Sequence, residues 1–586
     1  MRRKTAPAAA AAALALVLSA CGGGGGNSSQ QAGGEQSGTV QQEFNAGLNK
    51  VFNPSTKKGG TLKMAHSGDW DSLDPGDTYY GYSFNFGRLY WRTLTMYKPV
   101  PGPEGSKVVP DLAESLGEVS DDGKTWTYRL REGVKFEDGT PVTSKDVAYA
   151  VARSFDKEVL PHGPSYLNEL LDWPEGYKGA FKDKDADISS AIETPDDRTI
   201  VFHLKKPFAS FDYVVQMPMT APVPKDKDTG TKYKEHVVST GPYMFETNEL
   251  GKSFTLVRNP HWDPATDPNR PALPDRIEVQ VQVNADDLDN RLISGDIHVD
   301  IPGTGLQPAA LGKVLPDPQL KARTDNPTIP RLWYVSVIPD VKPLDNVHCR
   351  RAVHYATDKV ATQTAYGGEF SGGEIATNVL PPGISGQQRF DLYPSEGHKG
   401  DLAKAKEELQ KCGHPDGFET VMSYRSDRPR EKALAEAMEQ SLARVGIKLT
   451  LRGFSASDYF SNYAGNPEYV KKNGIGLAAH GWGADWADGY GFIQAIVDSR
   501  TIRDAGNYNL SVKNEEVDKL IDQASAELDQ AKREQLWVEV DRKVMEDASI
   551  LPILWAKSLL MRGIGVTNQF YNEGQSMYDY VTLGVE

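Results

Sequence analysis

The chain has 586 residues, of which 25% are charged and 39% hydrophobic, with a formal net charge of −15 and three cysteines. Acidic and basic residues are interspersed rather than blocked, which argues against a nucleic-acid partner and speaks mainly to solubility. The length suits several compact units or one large multi-lobed body, and beyond residue 20 no apolar run is long enough to cross a membrane as a helix.

Arg2, Arg3 and Lys4 precede an apolar stretch over residues 8–18, too short for a membrane span but of the length of a signal-peptide core. The following Leu18-Ser19-Ala20-Cys21 resembles the bacterial lipobox. That resemblance implies that residues 1–20 are a removed signal peptide and that Cys21 becomes the lipidated first residue. Residues 22–55 are rich in Gly, Ser and Gln, cannot bury enough apolar surface to fold, and suit a flexible tether. With Cys21 given to lipid, Cys349 and Cys412 remain, and in an exported, oxidising compartment two leftover thiols point to a disulfide rather than a metal site. A loop of that length would be worth about 4 kcal/mol in the chain-entropy account.

Further along, Asp122-Gly123 is a turn signal, and Trp126, Tyr128 and Leu130 alternate after it, which predicts a hairpin over residues 118–136. Asp138-Gly139-Thr140-Pro141 makes a second turn, and Thr143 with Asp146 starts a helix carrying Val147, Val151 and Phe155 on one side. Short strands are predicted over residues 191–204 and 254–257. Helices are predicted over residues 350–360, 403–411, 430–445 and 514–547, the last broken near Asp529. Strands and helices mix without strict alternation or repeat, so the class is α/β or α+β with several lobes.

Enzyme motifs are wanting: the sequence holds no GxSxG, no HExxH and no pair of CxxC. Gly251-Lys252-Ser253 imitates the end of a phosphate loop, but Glu246 stands where its first glycine belongs. Residues 474–479 imitate a dinucleotide fingerprint without the helix that should follow. His348 and His354 are six apart, which does not put them on one helical face for joint metal ligation.

Residues 110–153, PDLAESLGEVSDDGKTWTYRLREGVKFEDGTPVTSKDVAYAVAR, resemble the signature region of the extracellular solute-binding proteins, family 5, that serve peptide and nickel ABC importers. SLDP at 72–75, STGPYMF at 239–245, VRNPHWDP at 257–264, DNVHCRRAVHYATDK at 345–359 and GWGADWADGYGF at 481–492 agree in order. The resemblance implies an α/β, two-lobed periplasmic-binding-protein-like fold (type II, cluster C) with an extra inserted domain. It places lobe I over 56–88, 192–330 and 549–586, the inserted domain over 89–191 and lobe II over 331–548. It further implies a monomeric, lipid-anchored receptor on the extracytoplasmic face of the membrane that closes over its solute and docks on a permease with ATPase subunits. No catalytic residue, cofactor or bound metal belongs to that picture.

Among the family's solutes, di- and oligopeptides are the first expectation, with oligosaccharides or nickel complexes as alternatives and an exported hydrolase as the contrasting class. The aromatic-dense stretch 70–91 keeps a sugar ligand open, although Tyr79, Tyr80, Tyr82, Phe84, Phe86, Tyr90 and Trp91 serve a core equally well. Segment 481–492 is too glycine-rich for a good helix and too aromatic for an ordinary loop. In peptide-binding members, the aspartate of a tryptophan-x-x-aspartate segment receives the ligand's α-ammonium, and Trp482-Gly483-Ala484-Asp485 matches it. The resemblance therefore gives a ligand-binding set of Asp485, Trp482, Gly481, Gly483, Ala484, Trp486, His66 and Trp70. Trp482 and Trp486 would shield Asp485, and Gly481 and Gly483 would leave a strand edge open to ligand backbone. Asp488 is the weaker anchor because an Asp-Gly stands where the family has a proline turn.

Overall fold

A computed structural model describes residues 42–586; the signal peptide, Cys21 and most of the expected tether lie outside the described residues. Three sheets organise the chain. A five-stranded sheet runs in the order Val299–Asp300, Thr61–Ala65, Arg276–Gln280, Ser253–Arg258, Tyr243–Glu249, parallel for the first two pairings and antiparallel thereafter. A six-stranded sheet has the order Gly373–Ile375, Ile550–Lys557, Thr328–Val337, Ile475–Gly483, Glu419–Arg425, Lys448–Phe454. A small antiparallel sheet joins Glu118–Val119, Thr125–Arg129, Thr199–His203 and Ile192–Asp196.

Local chemistry explains much of this. The hairpin turns at Asp122-Gly123, where Gly123 takes a φ of 70° that a side chain would resist, and Trp126 and Tyr128 then alternate into the core while Thr125 and Thr127 face outward. Thr143 and Asp146 form a reciprocal capping box on Ser144–Arg153, whose Val147 and Val151 are fully buried. Phe155 falls beyond that helix's end and packs on Trp173 instead. The long C-terminal helical pattern divides into Glu515–Ala526 and Gln530–Asp547, with the Asp529 carboxylate capping the second by accepting from the Lys532 amide. The helix expected over 350–360 is two, Val347–Ala356 and Lys359–Ala365, because Asp358 leaves the helical region and caps the latter. Cys349 and Cys412 are joined as a disulfide with Cα atoms 5.4 Å apart, tying Val347–Ala356 to the end of Leu402–Lys411.

Hydrogen bonding redraws several expected boundaries. Residues 192–203, expected in lobe I, complete the small sheet against Thr125–Arg129, so the inserted unit runs past residue 191. Ile550–Lys557, also expected in lobe I, lies between Gly373–Ile375 and Thr328–Val337 in the six-stranded sheet; the chain returns to lobe I only afterwards. The tether expected to reach residue 55 is already packed from the forties: Ala46 and Phe52 are buried, and Phe52 bridges to Gln569.

The two chain crossings between the large sheets lie side by side, since Thr324–Asp325 pairs antiparallel with Leu560–Met561. Asp325 is fully buried there, ion-paired with Arg562 and accepting from the Tyr578 hydroxyl at 2.7 Å and the Gly47 amide at 2.9 Å. The early segment caps this crossing: Asn45 donates its amide to the Thr324 carbonyl, its side-chain oxygen accepts from the Asn326 amide at 2.8 Å, and the Phe52 ring covers the Arg562 guanidinium at 4.5 Å.

A candidate ammonium site where the lobes meet

The strand Ile475–Gly483 ends in the glycine-rich segment, and its glycines are explained by what lies against them. A Cβ at Gly481 would come within 2.2 Å of the Trp333 ring, and one at Gly483 within 2.8 Å of Arg331 Nη2. One edge of residues 481–483 is thus occupied, paired with Arg331, Leu332 and Trp333 of the neighbouring strand. The opposite edge is free of its neighbour Glu419–Arg425 beyond Ala478, which leaves the expected open edge on that side alone. Gly489 and Gly491 make room for the Trp537 and Trp486 rings. They do so within a helix, Gly489–Val497, in a segment judged too glycine-rich for one; the Asp488 carboxylate starts it by accepting from the Tyr490 amide at 3.0 Å.

Between strand and helix the chain reaches over to touch the other lobe. Trp486 and Ala487 belong to the hydrophobic core built around the five-stranded and small sheets. Trp486 is 2% exposed, edge-on to Tyr166 at 4.8 Å and stacked on Tyr490 at 6.0 Å. The Ala487 amide donates to the Tyr97 hydroxyl at 3.1 Å. Nearby, the Ala209 amide donates to the Ser525 carbonyl at 2.8 Å. The structure is therefore a closed one, with protein-to-protein contacts across the cleft.

Asp485 sits half-buried at this junction. Tyr79, from the five-stranded lobe, donates its hydroxyl to Oδ1 at 2.9 Å, and Tyr166, from the inserted unit, donates to Oδ2. Burial pushes the Asp485 carboxyl up to about 6, against the hydrogen bonds from Tyr166 and Tyr79 and the charge of Arg331, which pull it down. Both phenols are raised in turn, by burial first and by the Asp485 charge second, so they remain donors. Among the described residues no cation is in ion-pair contact with Asp485. A half-buried carboxylate that accepts from two phenols and has no cation in ion-pair contact leaves its charge open to one.

The other expected site residues fall in three places. Trp482 packs its ring on Tyr508 at 4.9 Å, and Ala484 donates its amide to the Pro330 carbonyl at 3.0 Å, both beside Asp485. Trp486 is core. His66 and Trp70 lie in the first lobe, their rings 5.2 Å apart, with Tyr82 against both and with Phe86 and Phe254 on Trp70. His66 accepts the Gly68 amide on Nδ1, and burial takes its pKa down to about 4. Asp488 is 1% exposed, spent on its helix cap and on Arg533 at 3.7 Å. Of the aromatic stretch, Phe86, Tyr90 and Trp91 are core, whereas Tyr79 and Tyr80 are 39% and 52% exposed. Tyr166 and Arg331 carried no signal in the sequence, because neither lies in a motif and both reach the site only through long-range pairing.

Residues 107–504 match the family described as bacterial extracellular solute-binding proteins, family 5, middle region. The chain is 28% identical over 504 residues to the probable D,D-dipeptide-binding periplasmic protein DdpA of Escherichia coli K12, covering 83% of this chain and 87% of that one. It is 27% identical over 460 residues to the glutathione-binding protein GsiB of Escherichia coli, covering 76% and 80%. Among solved structures, the clavulanic acid biosynthesis oligopeptide binding protein 2 superposes with a TM-score of 0.89 at 45% identity, over 93% of this chain and 99% of that one. The Helicobacter pylori binding protein DppA, in complex with a peptide, shares the fold at a TM-score of 0.66 and 22% identity, over 91% and 99%. With its two large sheets, inserted small sheet and paired crossings, the chain belongs to the bacterial extracellular solute-binding proteins, family 5.

Proposed function

We propose that this chain is the peptide receptor of an ABC import system, holding the α-ammonium of a di- or oligopeptide at Asp485 and delivering the closed complex to a membrane permease and its ATPase subunits. The observation that carries the reading is the Asp485 carboxylate, reached across the cleft by two phenols of the opposite lobe and its inserted unit, with no cation in ion-pair contact among the described residues. A ligand ammonium supplies that charge, and contacts from both lobes favour the closed state, which is the differential binding a closing receptor needs. Relatives named for D,D-dipeptide, glutathione and oligopeptide binding support the peptide class. The reading involves no catalysis. Lipid attachment through Cys21 would keep the receptor beside its permease, provided the anchor carries more than one acyl chain.

An oligosaccharide is the second reading, favoured by the exposed rings of Tyr79, which bonds the same carboxylate, and Tyr508, which packs on Trp482 beside it. Thermal-shift measurements of the purified protein against free peptides, N-acetylated peptides, oligosaccharides and nickel separate the classes, since a ligand of the folded state raises its melting temperature. Free peptides are expected to stabilise and acetylated ones to do so far less; stabilisation by sugars alone would overturn the peptide reading.

The carboxyl's shift also fixes a pH dependence. Ammonium binding requires ionised Asp485, so affinity is full well above about 6, is halved near it and keeps falling as the pH drops. The peptide's own amino group stays protonated throughout that window, its pKa being about 8. Calorimetry between neutral and mildly acid pH reads the loss, and a flat profile would remove Asp485 as the titrating group.

A further inference from the structure

The early segment that caps the crossing touches both lobes. On the first-lobe side, Phe52 exchanges backbone hydrogen bonds with Gln569, the Tyr571 amide donates to the Gly47 carbonyl at 2.7 Å, and the Asn53 side chain donates to the Val566 carbonyl at 3.1 Å. Val566 and Tyr571 belong to the core around the five-stranded sheet. At the segment's other end, Phe44 meets Phe370 edge to face, with ring centroids 6.3 Å apart, and the Lys321 ammonium lies 5.1 Å from each ring. Phe370 comes from the second lobe, on the short helix Gly368–Ser371 that leads into Gly373–Ile375, the edge strand of the six-stranded sheet. Lys321 comes from the first, on Pro318–Ala322 before the crossing. Both rings are half-buried against one small apolar cluster that includes Val314 and Met561 and is separate from either lobe's main core. The crossing itself is joined to the pair, since the Asn326 side chain donates to the Phe370 carbonyl at 2.9 Å.

We propose that residues 44–53 are a strap across the hinge that favours the closed form, so that closure predominates even with the cleft empty. Opening turns the lobes about the paired crossings, and that rotation carries Phe370 away from a ring and a cation held by the first lobe. Phe44 cannot follow it. Asn45 is fixed to the crossing through the Thr324 carbonyl and the Asn326 amide, and Gly47 and Phe52 are fixed to Tyr571 and Gln569. A contact made only in the closed arrangement shifts the equilibrium toward it by the free energy of that contact, as a ligand does. An aromatic pair that shares one cation has a modest weight, about two- to tenfold in the equilibrium. Together with the bonds across the cleft from Ala209 and Ala487, it adds to closure without locking it.

Amide hydrogen exchange reads this equilibrium through two amides bonded across the cleft, Ala209 to the Ser525 carbonyl and Ala487 to the Tyr97 hydroxyl; neither bonds to the strap. The protein is first stripped of any ligand by denaturation and refolding. In the wild type both amides are expected to be protected, yet less than amides in the middle of the large sheets such as Leu256 and Val335, because opening is easier than unfolding. Phe44→Ala should speed their exchange about two- to tenfold, the weight of the aromatic pair and its cation. Phe370→Ala should do the same from the other lobe, and the double variant should go little further, since both changes remove one contact. Phe44→Leu, the milder change, should fall between wild type and alanine. Unchanged exchange at Ala209 and Ala487 in Phe44→Ala overturns the inference, even where the sheet amides speed up, because the contact then persists in the open form. Wild-type amides that are unprotected there, or as protected as those of the sheets, also overturn it, since the strap would then have no closure to favour.

Discussion

Asp485→Asn is expected to weaken binding of free-amine peptides by about 3 to 5 kcal/mol, roughly two to four orders of magnitude, while leaving N-acetylated peptides almost unaffected. Asparagine keeps the shape and an oxygen for one of the two phenols, so the loss isolates the charge. Removing it leaves the bound ammonium in a closed cleft lined by Tyr79, Tyr166 and Trp486 with nothing opposite it. Stability should move the other way. Because the carboxyl's folded pKa is raised, to about 6, the ionised form is a cost to the unliganded protein above that pH, and the uncharged amide is free of it. Calorimetry should therefore show affinity falling in a variant whose denaturation midpoint at neutral pH is no lower than the wild type's. Equal discrimination between free and acetylated peptides by both proteins would remove Asp485 from the ammonium site.

The second large effect is expected at the crossing between the lobes. Asp325→Ala removes the partner of the buried Arg562, the acceptor of the Tyr578 hydroxyl and that of the Gly47 amide in one step. Leaving a fully buried guanidinium unpaired is expected to cost about 3 to 5 kcal/mol. Urea denaturation reads it as a lowered midpoint; a loss below about 1 kcal/mol would mean that the pair is solvated and not structural.

Where residues act on their near neighbours, the sequence was legible. The Asp122-Gly123 turn, the Thr143/Asp146 box and the break before Gln530 depend on groups a few residues apart, and their chemistry is visible in a short window. The lobe boundaries were not, because Ile550–Lys557 is assigned by the strands it pairs with and not by its own apolar run. Glycine was half legible for the same reason: Gly481 and Gly483 suggested open backbone, which holds on one edge, whereas their nearest neighbours on the other are Trp333 and Arg331, some 150 positions away in the chain. At the site, Asp485 came from a motif, but Tyr79 was one aromatic among many, and Tyr166 and Arg331 acquire meaning only once three separate segments meet.

The segment that caps the crossing also bears on where the folded body can be cut. Composition suggests that everything before residue 56 is dispensable leash, and a recombinant chain begun there would look conservative. It would nonetheless strip the Gly47 amide from Asp325, the Glu43 carbonyl and the Phe52 ring from Arg562, and the Asn45 oxygen from the Asn326 amide. Tolerance to truncation follows the burial and bonding of the backbone removed, not its position near a terminus. Proteolytic trimming within residues 45–53 would thus wet a buried ion pair at the point on which the two lobes turn, and a chain begun at Gln42 avoids it.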